Sequence, residues 1–217
     1  MSILIDENTK YIIQGITGKE GQRAAKFMVA AGSQLIGGVR PGKAGEEVEG
    51  VKVYDAVKDI PDADCSVITV PPQFVKDAVQ EAVDAGIKLI IPIAEGVPLQ
   101  DTAWVIAYAE SNGSRILGPN TVGLISPSKK SKAGVIGGEG NKSFMPGPVG
   151  IISKSGGMTS ETARLLTQAG IGQSTCINIG GDKLIGTDIK ECLELFAQDD
   201  DTKVIVLFGE IGGTYEE

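Results

Sequence analysis

The stretch YIIQGITGKEG, from Tyr11 to Gly21, decides the fold. Four residues of strand character, Tyr11 to Gln14, run directly into Gly15, Gly18 and Gly21, with Thr17, Lys19 and Glu20 set between the glycines. An apolar run that ends in glycine and opens a helical pattern is the strand-to-helix turn of a parallel α/β sheet. The glycines let the backbone turn tightly and approach a ligand, with a purely structural turn as the lesser reading. If an anion is present, the free N–H groups of the new helix and its dipole face it, a preference of roughly 0.3–1 kcal/mol per charge.

Outward from this turn the same alternation repeats. Gln34 to Val39, Ser66 to Val70, Lys88 to Ile93 and Arg115 to Leu117 read as further strands. Between the third and fourth, PPQFVKDAVQEAVDAG sets Phe74, Val75, Ala78, Val79, Ala82 and Val83 on one helical face, with prolines in the first turn and Gly86 at the C-terminal cap. Leu99 to Asn112 is the next helix. Residues 126–148 then lose any period and are rich in Ser, Lys, Gly and Pro. They read as a solvated domain connection with a small hairpin near Ala133 to Ile136, and SKKSK as part of that linker rather than an anion contact. Alternation resumes with a strand at Val149 to Ile152, a helix at Met158 to Ala169, a strand at Ser174 to Ile179, a helix at Asp188 to Gln198 and a strand at Lys203 to Phe208. The expected division is a first domain over 1–125, a connection over 126–148 and a partial second domain over 149–217.

Composition narrows the chemistry. The 217 residues hold 20 Lys plus Arg, 28 Asp plus Glu and no histidine, a net charge of −8. Without an imidazole the chain cannot supply a Ser-His-Asp triad or a histidine zinc site, and no metal site is expected. An acidic balance argues against a nucleic-acid partner. MSILIDENTK has no cationic start ahead of an apolar core, and no apolar run approaches ~18 residues, so no membrane association and a cytoplasmic location are expected. Cys65, Cys176 and Cys192 lie in apolar segments without CxxC spacing and read as buried free thiols. The 30 glycines are about twice the usual share.

In an open parallel sheet the ligand lies beyond the carboxyl ends of the strands. After the second strand, where NAD binders usually carry an acid for the ribose, stands GGVRPGKAG with Arg40 and Lys43. Those charges suit NADP or coenzyme A with its ribose phosphate; a solvated turn paired with Glu46, Glu47 and Glu49 is the other reading. Pro71, Pro72 and Pro92 offer rigid walls for an adenine or an acyl arm, or simple punctuation of the sheet edge. SKSGGMTSE, Ser153 to Glu161, joins an apolar strand to a helix and again presents hydroxyls and N–H groups to an anion. A serine cap alone would be worth about 1 kcal/mol, but does not need the pair Gly156 and Gly157. IGGD at 179–182 and GEIGG at 209–213 add glycines at the same edge, with Glu210 placed to hold a cationic or imidazole partner.

In order, GITGKEG, GGVRPGKAG, VPP, IAEG, GPN, SKSGGMTSE, IGGD and GEIGG resemble the alpha subunit of the succinyl-CoA synthetase family of acyl-CoA ligases, from residue 1 to 217 with one small deletion near Asp62. The resemblance implies an α/β fold: a Rossmann-like CoA-binding domain followed by a truncated flavodoxin-like ligase domain. It implies that coenzyme A lies on Thr17, Gly18, Lys19, Glu20, Lys43, Val70, Pro71, Ile93, Ala94 and Glu95. It further implies that Ser153, Ser155, Gly156 and Gly157 cradle the phosphate of a phosphohistidine which Glu210 contacts. The implied reaction joins a small carboxylate substrate to CoA using ATP or GTP, with magnesium and an ATP-grasp fold on a beta subunit. The family's phosphohistidine lies downstream of GEIGG, so the sequence as given is expected not to complete turnover alone.

Two departures bear on substrate. Gln22 and Arg23 stand where the family commonly has a histidine. Ser160 stands where a tyrosine is common, and GPNTVG with SGGM and GEIGGT is similar to ATP-citrate lyase and citryl-CoA synthetase, which makes that type the alternative and Ser160 a candidate substrate residue. An alternative of another class is a non-catalytic CoA- or NAD(P)-binding regulatory module.

Overall fold

The computed structural model describes residues 3–139 and 142–210. Among them are two sheets, each the base of an α/β unit. In the first unit β1 (Lys10–Gln14) leads through α1 (Lys19–Ala31) to β2 (Gln34–Val39), then to β3 (Glu47–Val48) and β4 (Val51–Tyr54). There follow β5 (Cys65–Ile68), α2 (Val75–Asp84), β6 (Leu89–Pro92), α3 (Leu99–Ser111) and β7 (Arg115–Ile116). The sheet runs β3-β4-β2-β1-β5-β6-β7, and every pair is parallel except β3 with β4. Strand order departs from β1 in both directions, so winding reverses between β1 and β5. This is the Rossmann-like arrangement, and its switch point lies at the end of YIIQ.

The residues of β1 explain why it is central. Tyr11 and Ile13 point into one core with Ala24, Ala25 and Met28 of α1. Ile12, one pleat away, joins the opposite core with Val79 of α2 and Ile90 of β6. A strand covered on both faces is apolar throughout rather than alternating. Gly15 turns the chain with φ of 82°. Gly21 is required by closeness: a Cβ there would overlap the carbonyl oxygen of Gly15 and sit 2.7 Å from the Cα of Ile16. Both obstacles are backbone and cannot rotate away.

Two expectations in this unit change. Phe74 does not lie on the buried face of α2, because Pro72–Phe74 form a 3₁₀ turn and the α-helical period starts at Val75; Phe74 is 53% exposed. The hairpin of β3 and β4 was not anticipated, since Glu46, Glu47 and Glu49 mask the short alternation in which Val51 and Val53 point inward.

The second unit begins with β8 (Gly123–Ser126) and β9 (Ser131–Gly134), then β10 (Pro146–Ser153), α4 (Gly156–Gln168), β11 (Gln173–Asn178), α5 (Ile189–Phe196) and β12 (Val204–Phe208). Its order is β12-β10-β11-β8-β9. β12, β10 and β11 are parallel with the first-entered strand in the middle, the start of a flavodoxin-like winding, and β8 and β9 extend it as an antiparallel hairpin. α5 opens on a capping box in which Asp188 and Glu191 satisfy each other's backbone N–H groups.

Where a solvated connection was expected, the hairpin starts at Gly123 and its second strand is buried. Ser131 and Lys132 of SKKSK are 1% and 0% exposed. The Lys132 Nζ donates to the carbonyl of Gly138 at 2.9 Å and stands 5.2 Å from the centre of the Phe27 ring of α1. Polar composition concealed this strand, because its burial comes from the other unit. One continuous core runs from Ile13 through Met28 to Ala133, Leu124, Ile152 and Ile177, so α1 is packed between the two sheets.

Two stability measurements check this account. Gly21→Ala forces backbone apart and is expected to cost about 1–3 kcal/mol in chemical denaturation. Burial lowers the Lys132 ammonium from 10.5 to about 8. Below pH 8 both states hold the proton and the buried charge costs stability; from 8 to 10.5 the unfolded chain keeps a proton that the folded chain releases, so folding is favoured as pH rises. Lys132→Met should flatten that rise, by on the order of 2 kcal/mol between the two unfolding profiles.

Candidate functional site

At the switch point of the first sheet lies an open cavity of about 440 Å³, bounded by Gln14, Gly15, Val39, Arg40, Pro41, Val70, Pro71, Phe74, Asp77, Ala78 and Glu81. Its walls come from the loops after β1, β2 and β5 and from the first turns of α2. Gly15 permits their convergence, for a Cβ there would stand 3.0 Å from the Val70 side chain. The floor is fixed by a polar network. Gln14, 2% exposed, donates through Nε2 to the carbonyl of Ala78 at 3.0 Å and to Glu81 Oε2 at 3.1 Å, and accepts from Ser66 Oγ at 2.8 Å. Glu81 Oε1 in turn accepts the N–H of Val57 at 2.9 Å.

Of the CoA residues implied by the resemblance, Val70 and Pro71 bound this cavity. Thr17 and Gly18 form the adjoining loop, and Lys19 and Glu20 open α1, with Glu20 3.5 Å from Arg23. Gln22 Nε2 donates to the carbonyl of Thr17 at 2.8 Å and steadies that loop. Lys43 is exposed and pairs with Glu46 at 2.7 Å, in a turn held by the N–H groups of Gly42 and Ala44 on Asp55 Oδ1. Ile93, Ala94 and Glu95 follow β6 at the same sheet edge, Glu95 exposed. Gln14, Phe74, Asp77 and Glu81 were not marked by the sequence as site residues. Asp77 and Glu81 look like the solvent face of an amphipathic helix; only the 3₁₀ turn marks Phe74 as outside it.

A second cavity, of about 410 Å³, lies at the carboxyl edge of the other sheet, bounded by Lys154, Ser155, Gly181, Phe208, Gly209 and Glu210. Ser155 caps α4, its Oγ accepting the N–H of Met158 at 3.3 Å. Ser153 is turned into the chain: its Oγ donates to the Ser155 carbonyl at 2.9 Å and accepts the Ser155 N–H at 3.1 Å. The glycine pair separates by role. A Cβ on Gly156 would meet Val122 at 2.8 Å, a packing requirement, whereas one on Gly157 would meet nothing within 4 Å. Ser160 is engaged on the flank of α4, accepting the N–H of Gly137 at 3.1 Å and donating to the Gly156 carbonyl at 3.3 Å. Glu210 is exposed, with Oε2 3.5 Å from Lys154 Nζ. The rest of GEIGG, Ile211 to Gly213, lies outside the described residues.

Among the described residues no His, Cys, Asp and Glu group could hold a metal ion, and no helix is long and apolar enough to cross a membrane. The three cysteines are buried and unpaired, and burial pushes their thiols up, Cys192 to about 12, so none is a ready thiolate nucleophile.

A CoA binding domain model matches residues 6–96 and a CoA-ligase model residues 152–217. The chain is 48% identical over its full length to the ADP-forming succinate–CoA ligase subunit alpha 2 of Archaeoglobus fulgidus, of which it covers 75%. It is 43% identical, again over its full length, to the malate–CoA ligase subunit alpha of Methylorubrum extorquens, covering 74% of it. In structure it is similar to ATP citrate lyase from Methanothrix soehngenii with a TM-score of 0.88 over 99% of this chain and 38% of that one; at 24% identity this speaks to the fold alone.

Asn120 falls between the two matched regions and joins them. In the left-handed region at φ 55°, it donates its N–H to the Ala94 carbonyl at 3.0 Å and accepts the Gly181 N–H at 3.0 Å. Its Nδ2 donates to Asp182 Oδ1 at 2.9 Å. Asn120→Ala and Asp182→Ala should each cost about 0.5–1.5 kcal/mol in denaturation, and less than additively together. Asn120→Asp alone sets two carboxylates face to face, and adding Asp182→Asn is expected to recover the lost stability.

Proposed function

The chain belongs to the succinate–CoA ligase alpha-subunit family, and on that premise we propose that it binds coenzyme A at the carboxyl edge of its first sheet and works with a partner subunit to form an acyl-CoA from a small carboxylate. The observation that carries this reading is the cavity at the switch point of the unit matched by the CoA binding domain model, walled by Val70, Pro71 and Phe74 and rimmed by Arg40. Its apolar wall suits an adenine or a pantetheine arm. The N–H groups of the Gly15–Gly21 loop, with Lys19 and Lys43, suit the phosphates. Glu95, Ile93 and Ala94 complete the contact set from the loop after β6.

In the same reading the turn at Ser155–Gly157 receives a phosphoryl group carried on a histidine, while the Glu210 carboxylate accepts that imidazole's N–H. No histidine is present in the 217 residues, so the imidazole comes from outside them. A carboxylate oxygen attacks the phosphorus and breaks its bond to nitrogen, giving an acyl phosphate; the CoA sulfur then attacks the acyl carbon and phosphate leaves. The open space over Gly157 supports close approach of a bulky anion to the amides there. ATP or GTP and magnesium are assigned to a beta subunit with an ATP-grasp fold, and the enzyme to the cytoplasm, where its free thiols stay reduced. Names among the relatives include succinate and malate as substrates, which favours a four-carbon dicarboxylate here.

Calorimetric titration with CoA tests the first part. Binding is expected, and Lys43→Ala should weaken it about three- to tenfold, the worth of one exposed charge-assisted contact. An unchanged affinity would remove Lys43 from the contact set. For the substrate, the full-length protein assembled with its partner subunit should turn over succinate or malate faster than citrate; a preference for citrate overturns the dicarboxylate assignment.

A further inference from the structure

Lys154 bounds the second cavity, and nothing in the glycine pattern marks it. Its side chain is 8% exposed, while that of Glu210, 3.5 Å away, is 64% exposed. An ammonium buried to this degree needs an anion close by, since an uncompensated buried charge costs several kcal/mol. Its backbone is fixed: the Lys154 N–H donates to the Phe208 carbonyl at 3.2 Å, and Ser153 and Ser155 on either side are tied to each other. Glu210, by contrast, is exposed two residues beyond the end of β12. The pair is thus asymmetric, with a held cation and a carboxylate at the surface. Beside them is the start of α4, whose dipole favours a second anion in the same cavity.

We propose that Lys154 is a cation shared in turn by Glu210 and the phosphoryl group: it pairs with Glu210 while the cavity holds no phosphate and turns to the phosphate when one enters, so that the Glu210 carboxylate gives up this pairing and turns to the imidazole. This deepens the reading of the Ser155–Gly157 turn as a phosphate cradle and rests on it. The exchange forms and breaks only ion pairs. A phosphate dianion displaces a carboxylate at an ammonium because it carries more charge and more acceptor oxygens. Glu210 is therefore a competitor for Lys154 before the phosphoryl group arrives and a partner of the imidazole afterwards.

Titration of the chain with inorganic phosphate, followed by calorimetry and phosphorus NMR, separates this from a structural pairing by the sign of one effect. Lys154→Met should weaken phosphate binding about tenfold or more, and Lys154→Arg should keep it near the starting value. Glu210→Gln removes the competitor and should tighten phosphate binding severalfold, whereas a pair that merely supports the cavity would lose binding in both variants. CoA titration of the same samples reports on the other sheet and should stay within about twofold, which establishes that the variants are folded. Weaker phosphate binding by Glu210→Gln, or unchanged binding by Lys154→Met, overturns the shared-cation role alone. An unsubstituted chain that binds CoA but no phosphate overturns the cradle reading and the proposal with it.

Discussion

Helix α1 is packed from two directions, with Gln22, Arg23, Lys26 and Val29 left on its exposed face. Its first turn lies against the carbonyl of Gly15, its middle carries Ala24, Ala25 and Met28 onto the first sheet, and Phe27 meets Lys132 from the second. Small residues on one side and a single aromatic on the other make this double packing possible. The consequence reaches both cavities. Moving α1 outward would open the loop that faces the first cavity, and the same motion would unseat the hairpin of β8 and β9, just ahead of which Val122 packs on Gly156 at the start of α4. The glycine at position 21 is therefore a constraint on the whole molecule as well as on one turn.

The sheet of the first unit was legible because its strands are covered on both faces and their apolar runs are uninterrupted, as in Tyr11–Ile13 and Leu89–Ile91. The second was legible at Ile151, Ile152, Cys176 and Ile177 for the same reason. Some of what escaped is local, the β3–β4 hairpin behind its glutamates; the rest depends on the neighbouring unit. Ser131 to Gly134 is a strand of polar and small residues, buried because α1 covers it, and no local pattern carries that information. The candidate sites show the same division. The glycine-bearing turns announce themselves through spacing, whereas Gln14, Asp77 and Glu81 become cavity residues only through the angle at which α2 meets β1.

The chain is acidic overall, with 28 acidic against 20 basic residues, yet the proposed ligands are anions. Long-range attraction cannot assist them; it would oppose their approach over distances up to a Debye length, about 8 Å at physiological salt. Recognition must then come from groups within contact distance, which are amide N–H groups at helix starts and isolated cations. The structure provides both at the sheet edges, with Arg40 lining the first cavity, Lys43 in the same loop after β2, and the buried Lys154 in the second. Lys43 and Lys154 are already paired with Glu46 and Glu210. Such pairing keeps a net acidic surface while leaving a cation available to a stronger anion, at the cost of breaking an existing ion pair on binding. That cost is small for the exposed Lys43 pair and larger for the buried Lys154.

The two cavities belong to different sheets, and on the proposed reading their separation has to be held for a thiol on one to meet an acyl group activated at the other. Hydrophobic contact through α1 fixes the distance between sheets but is tolerant of sliding. Directional bonds at the sheet edge supply what it lacks. Asn120 ties the loop after β6 to the loop after β11, the Gly186 N–H donates to the Gly118 carbonyl, and Thr187 Oγ1 donates to the carbonyl of Ile116. Arg115 and Glu191 add an ion pair at 2.7 Å on the same seam. These bonds follow one another along the chain from residue 115 to 120 and from 181 to 191, as two facing segments would. On the proposed reading the seam sets the register between the CoA loop and the phosphate turn, and the backbone of GPN, more than any charged side chain, carries it.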